Sequence, residues 1–258
     1  MLGSVLPFSP ELADKVSEYC ENHSEALPEA LNKHWEWTIR TWMDAEMMSS
    51  KLQGQWMIWM SQWIAPKRAS VTLTVANLVL EVGTFTGFSA LAWYEGTRAT
   101  KAEIITLDVR GEVLNFTRKM FAELGVDDRI KVIEGPAAST LEQVDGQFDI
   151  IFLDADKHNY QLYMNTILER RLLSPHGVVF VDNVFARGLT MGNEFNPYIE
   201  KIRRPFWEAN GETLRKLNKS FLEDPRIDTL ILPLFDGVTQ IKWKTGYLEP
   251  GADETSKQ

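Results

Sequence analysis

Cysteine, uninterrupted apolar sequence and positive charge are all scarce in this chain of 258 residues, and each shortage removes a class of function. Cys20 is the only cysteine, so no intrachain disulfide can form and no thiolate pair exists for a soft metal; a bound metal must take oxygen or imidazole ligands. The four histidines lack the spacing of a histidine-based centre, and His158 and His176 read as structural. No window reaches about 18 consecutive apolar residues, and M-L-G-S-V-L-P-F-S-P lacks the basic region and apolar run of a secretory leader. A cytoplasmic protein with no membrane association is expected. Lys+Arg total 27 against Asp+Glu 36, a net charge of -9, and such a field repels phosphate backbones, so nucleic acid is not expected as a partner. Both G-x-G-x-x-G and G-x-x-x-x-G-K-[ST] are missing, which argues against a dinucleotide or a nucleoside triphosphate.

What is present divides into two parts of one expected domain, 1–258. Residues 1–70 show no strand alternation and read as helices, the first with Ser9 as N-cap and Pro10 at its first position. In Q-W-M-I-W-M-S-Q-W-I, Trp56, Trp59 and Trp63 recur at i, i+3, i+7 and Met57, Ile58 and Met60 make the helix apolar almost all round, so burial against a sheet or a second subunit is expected, with a homodimer as the default. Residues 71–245 form the α/β core, where short β-branched runs alternate with helical stretches, the pattern of a doubly wound, mostly parallel sheet. Strands are expected to end near Val82, Asp108, Glu134, Asp154 and Asp182. An antiparallel hairpin follows, I-D-T-L-I-L-P-L then V-T-Q-I-K-W, with Asp236-Gly237 at its turn and Pro233 marking an edge or bulge. The tail, 246–258, is expected to be disordered.

Ligands of open α/β sheets bind beyond the carboxyl ends of the strands, and Glu81, Asp108, Asp154 and Asp182 all lie at or beside such ends. Four carboxylates at a partly buried rim call for cations, hydroxyl-rich ligands or both, with helix capping as the alternative for any single one. In E-V-G-T-F-T-G-F-S, Gly83 and Gly87 let the backbone approach a ligand at the next helix's start. Asp108, 25 residues after Gly83, stands where an acid accepts a ribose diol, which suits a nucleoside without phosphates. Asp154-Ala155-Asp156-Lys157 and Asp182-Asn183 together offer Asp154, Asp182 and Asn183 as three oxygen ligands for a hard cation such as Mg²⁺, with turn and capping roles as the alternative.

At these residues the chain resembles the cation-dependent O-methyltransferases, the caffeoyl-CoA and catechol O-methyltransferase-like family. The matching stretches are L-E-V-G-T-F-T-G-F-S-A-L, V-D-D-R-I-K-V-I-E-G-P-A, F-D-I-I-F-L-D-A-D-K-H-N-Y, V-V-F-V-D-N-V and D-P-R-I-D-T-L-I-L-P-L-F-D-G-V-T, between residues 45 and 243. The resemblance implies a seven-stranded sheet, a homodimer, S-adenosylmethionine as donor, and a divalent metal chelating two vicinal oxygens of a phenolic acceptor. It places Met47, Ser49, Glu81, Gly83, Thr84, Ser89, Asp108, Ala137, Asp156 and Tyr163 at the donor, Asp154, Asp182 and Asn183 at the metal, and Lys157 at the general base, a role that needs its pKa lowered by the metal. Val184-Phe185-Ala186-Arg187-Gly188 departs from the family's Thr-Leu-Trp-Asn-Gly, so the acceptor pocket differs and Arg187 becomes a candidate substrate contact. The stretch through Phe195, Tyr198, Arg203, Arg204, Phe206 and Trp207 reads either as a lid over the acceptor or as a solvated loop. A non-catechol oxygen, an acyl-CoA phenylpropanoid, or a silent donor-binding homologue are the competing readings.

Overall fold

Short apolar runs with alternate residues facing opposite ways build the sheet of the computed structural model, which describes residues 10–64, 78–192 and 199–248. Ser9, Phe195, Tyr198 and residues 249–258 of the tail lie outside the described residues. The strands are β1 (Leu78–Val82), β2 (Glu103–Asp108), β3 (Ile130–Glu134), β4 (Phe148–Leu153), β5 (Leu173–Asp182), β6 (Ile227–Leu232) and β7 (Val238–Trp243), in the order β3-β2-β1-β4-β5-β7-β6. β1 to β5 are parallel, while β7 runs antiparallel to β5 and to β6. The period of two sorts the side chains onto two faces: Leu80, Val82, Leu107, Ile151, Leu153, Val179 and Val181 on one, Val79, Ile104, Ile150, Phe152 and Phe180 on the other. Both faces are covered, as a doubly wound sheet requires. Helices α7 (Tyr160–Glu169) and α8 (Arg204–Glu223) close the first face. Over the second lie α2 (Glu29–Thr41), α3 (Lys51–Ile64), α4 (Phe88–Gly96) and α5 (Gly111–Leu124). Helix α1 runs over Pro10–Asn22, and α6 (Ala137–Thr140) is a single turn after β3.

Three features go beyond those expectations. Helix α3 is not buried all round: Trp59 is 61% and Trp63 77% exposed, and the stripe that packs inward is Gln53, Gly54, Met57 and Ser61. Small and polar residues face inward because α3 lies hard against α4, where a Cβ on Gly54 would meet the Phe88 ring at 2.8 Å and one on Gly96 would meet Ser61 at 2.6 Å. The hairpin has Asp236-Gly237 in its turn as expected, within a longer connection: the last pair is Leu232 with Val238, so five residues, 233–237, join the strands. Pro233 has no N–H to continue the ladder, and Phe235 and Gly237 take left-handed φ of 54° and 84°. The edge position expected from Pro233 holds, since β6 ends the sheet. Strand β5 starts at Leu173, with its register against β4 shifting around Pro175 before Ile150 pairs with Val178. No helix among the described residues is long and apolar enough to cross a membrane.

Candidate active site at the carboxyl ends of the strands

Glu81, inside β1, is fully buried. One oxygen, Oε2, accepts from the Thr106 hydroxyl at 2.5 Å, while Oε1 is buried with no hydrogen-bond partner. Burial pushes its pKa up to about 8 against the lowering effect of the Ser89 and Thr106 hydroxyls, and the charges of Asp154 and Asp108 add to the rise. A buried acceptor with an unfilled lone pair fits the N–H or O–H of a ligand. The loop that follows is pinned to β2: Asp108 Oδ2 accepts the N–H groups of Thr84 (2.9 Å) and Phe85 (2.8 Å), and Oδ1 accepts that of Arg110 (2.9 Å). Gly83, at φ 106°, sits where a Cβ would lie 2.0 Å from the Asp154 carbonyl oxygen, so only glycine lets β1 and β4 end this close together.

The other residues expected at the donor come from separate elements and a connecting segment. Ser89 lies in the first turn of α4 and is buried. Ala137 opens α6 just past Gly135, whose N–H donates to the Asp108 carbonyl at 2.9 Å. Met47, half exposed in the short turn Ala45–Met47, receives Arg110 Nη1 on its sulfur at 3.4 Å. Ser49 is buried two residues on, its carbonyl accepting Trp35 Nε1 at 3.2 Å. Tyr163 donates to Asp156 at 2.6 Å on the β4 side.

Next to this loop the ends of β4 and β5 surround one ammonium. Lys157 Nζ donates to the Tyr160 hydroxyl at 2.6 Å, to Asn183 Oδ1 at 2.9 Å and to Asp154 Oδ1 at 3.0 Å. Burial opposes its charge, but the Tyr160 oxygen, Asp154 and Asp182 outweigh that and hold its pKa above the ordinary lysine range. That is opposite to the lowering a general base needs. Asp182 is 2% exposed, its Oδ2 accepting Gln53 Nε2 at 2.7 Å and its Oδ1 the Asn183 N–H at 2.8 Å. Burial and the Asp154 charge push it up to about 7. Among the described residues no three His, Cys, Asp or Glu side chains form a metal-binding group, because the oxygen set here is two carboxylates and the Asn183 amide. That set suits a hard cation, and two of its three members already hold a positive charge.

The loop after β5 is built on strain. From Asn183 to Gly188, four residues hold positive φ: Asn183 59°, Ala186 48°, Arg187 56° and Gly188 89°. Asp236, from the hairpin turn, fastens the loop by accepting the Arg187 N–H on both oxygens, at 2.7 and 3.0 Å. Burial pushes Asp236 up to about 7 against the Arg187 N–H and the charges of Lys157 and Arg187. The Arg187 guanidinium lies over the Trp207 ring at 4.5 Å. Arg203 pairs with Glu46, and Arg110 with Asp44 at 2.8 Å, so the turn bearing Met47 is latched from both sides. Sequence reasoning missed Gln53, Tyr160 and Asp236. Tyr160 stands inside the D-A-D-K-H-N-Y run; the other two are joined to the site only through contacts 129 and 49 residues long.

Residues 21–244 match the family model described as O-methyltransferase. The crystal structure of SAH-bound Podospora anserina methyltransferase PaMTH1 is 51% identical, with a TM-score of 0.88 over 94% of this chain and 100% of that one. "O-methyltransferase ankF" of Aspergillus thermomutatus is 36% identical over 95% of this chain and 99% of its own length. Caffeoyl-CoA O-methyltransferase 1 of Eucalyptus globulus is 33% identical over 64% of this chain and 65% of its own.

Proposed function

We propose that this chain, which belongs to the O-methyltransferase family, moves the methyl group of S-adenosylmethionine to a hydroxyl of a small catechol-like phenol, with a divalent cation such as Mg²⁺ held by Asp154, Asp182 and Asn183. The observation that carries the reading is the convergence of Asp154, Asn183 and Lys157 beside Asp182, next to the unfilled oxygen of Glu81. For the donor, support comes from PaMTH1, which holds SAH, what S-adenosylmethionine becomes on losing its methyl.

When bound, the donor supplies a sulfonium-activated methyl, and the cation favours the anion of a phenol whose ordinary pKa is about 10. The chain's own residues do the rest. Glu81 Oε1 offers a buried acceptor to the donor's ammonium, and the ionised carboxylate gains from that charge. Asp108 holds the Thr84–Phe85 backbone in place with Oδ2 and keeps one lone pair, on Oδ1, for a ribose hydroxyl. Lys157 Nζ, within 3.0 Å of Asp154 and Asn183, is charged as it stands; with a cation on those oxygens it would release one proton to solvent and then take the acceptor's, while Tyr160 fixes it from the buried side. The latched turn at Met47 and the loop at Arg187 set the separation of donor and acceptor, which is where most of the acceleration of an in-line displacement resides.

A second reading keeps donor and cation but replaces the catechol by another oxygen of a larger metabolite. It is favoured by the Val184–Gly188 segment and by coverage: the Aspergillus relative aligns with 95% of this chain, the Eucalyptus enzyme with 64%. The test is transfer of labelled methyl to catechols, monophenols, hydroxycinnamoyl thioesters and polycyclic phenols, each with Mg²⁺ and with EDTA. Catechol turnover lost in EDTA and restored by Mg²⁺ is expected. EDTA-resistant turnover would remove the cation, and turnover confined to polycyclic phenols would move the acceptor to the second reading.

A further inference from the structure

Asp182 is the cation ligand whose environment is most completely defined by the protein, and one of its two fixed contacts comes from a residue with no assigned role. Gln53 lies in the first turn of α3, is 4% exposed, and sends its side-chain N–H across the second face of the sheet to Asp182 Oδ2 at 2.7 Å. Its own backbone N–H is tied to Ser50 Oγ at 3.1 Å, so the side chain projects from an anchored helix start. The other contact is local, the Asn183 N–H on Oδ1 at 2.8 Å. One donor on each oxygen fixes the carboxylate plane, and each oxygen keeps a lone pair for a cation.

From this geometry we infer that Gln53 is a positioning residue for the cation seat. It acts through Asp182 and touches neither donor nor acceptor in this role; the inference rests on the cation reading proposed above. The residue type fits the task. An apolar side chain of the same size would leave a buried carboxylate oxygen unpaired, and the carboxylate would turn toward Lys157 to find a partner. A lysine or arginine would supply the hydrogen bond but also a full charge, competing with the cation for Asp182. A neutral amide orients the ligand without neutralising it, which is how outer partners of metal-binding carboxylates work. The bland alternative is a buried amide whose only service is helix packing. The contact's target argues against that, since Gln53 bonds to a cation ligand on β5 and its neighbour Gly54 makes the packing contact with α4.

The test is Mn²⁺ binding to the full chain, followed by the electron paramagnetic resonance of free Mn²⁺, in wild type, Gln53→Met and Gln53→Asn. Methionine keeps the volume and removes the donor; asparagine keeps the amide one methylene short of its target and serves if the first variant fails to fold. Loss of an outer partner of this kind costs about 10- to 100-fold in metal affinity. The expected result is therefore a Mn²⁺ Kd raised by about that factor, S-adenosylmethionine affinity within about threefold of wild type, and kcat recovered at saturating Mn²⁺. A packing role would instead lower donor affinity, melting temperature and saturated kcat together, and that pattern overturns the inference. Unchanged Mn²⁺ affinity in both variants overturns it while leaving the cation reading intact. Absence of Mn²⁺ binding by the wild type overturns both.

Discussion

Lys157 gives three N–H donors to three oxygens, and its side chain is only 11% exposed. Two of the three, Asp154 and Asn183, are the groups proposed to hold a divalent cation, so ammonium and cation compete for the same lone pairs. Binding the cation should push Nζ off Asp154 and Asn183 toward the acceptor, and the nearby double charge should bring down a pKa that these oxygens otherwise raise. A consequence at the scale of one residue is that Lys157→Met does two opposite things. Turnover should fall by about 10²- to 10⁴-fold with the loss of the base. Mn²⁺ affinity should rise at least about tenfold, roughly 1.4 kcal/mol, because a competing charge has gone. Mn²⁺ titration and labelled-methyl transfer on the same variant check both, and an unchanged Mn²⁺ affinity would show that the ammonium is no competitor.

At the scale of elements, the strands were readable because burial on both faces demands runs rich in Val, Ile, Leu and Phe, and the turn after β1 because Gly83 and Gly87 stand out beside Glu81. The acids at the strand ends were readable for the same reason: a charge breaking an apolar run is conspicuous. Helix α3 was readable as a helix but its inward stripe, Gln53, Gly54, Met57 and Ser61, was not, since it is chosen for close approach to α4, and no periodicity of hydrophobicity reports that. Nor was the tie between the loop after β5 and the hairpin turn, because Asp236 looks like ordinary turn chemistry until it is seen to hold the Arg187 N–H. The same tie makes the loop a unit. Arg187 is fixed at its backbone by Asp236 and laid over Trp207 at its tip, so Arg187→Ala should leave the backbone anchor and remove the cover. The expected outcome is a changed ranking of acceptors by kcat/KM with donor affinity within about threefold, and an unchanged ranking would place Arg187 outside the pocket.

For the whole molecule, two features point outward. The net charge of -9 attracts a sulfonium donor and a divalent cation and repels a polyanion, which weighs against a CoA thioester as acceptor. The second is the outer side of α3, where Trp59 and Trp63 stand 61% and 77% exposed, and Trp56, one turn earlier, meets Phe235 of the hairpin at 5.8 Å between ring centroids. We propose this face as the contact of a homodimer. Exposed tryptophans are costly in a monomer and are favoured at the centres of interfaces, where one contributes about 2 kcal/mol or more. In a two-fold dimer each side chain is used twice, so Trp59→Glu should cost about 4 kcal/mol or more and raise the dimer Kd by about a thousandfold. Sedimentation velocity should then find the wild type dimeric at micromolar concentration and the variant monomeric, with S-adenosylmethionine binding retained because Trp59 is not among the residues placed at the donor. Since Gln53 and the tryptophans share one helix, the monomeric variant would also report whether α3 needs a second subunit to hold Asp182: Mn²⁺ affinity equal to that of the wild type means each subunit builds its own cation seat, and a wild type that is itself monomeric removes the dimer.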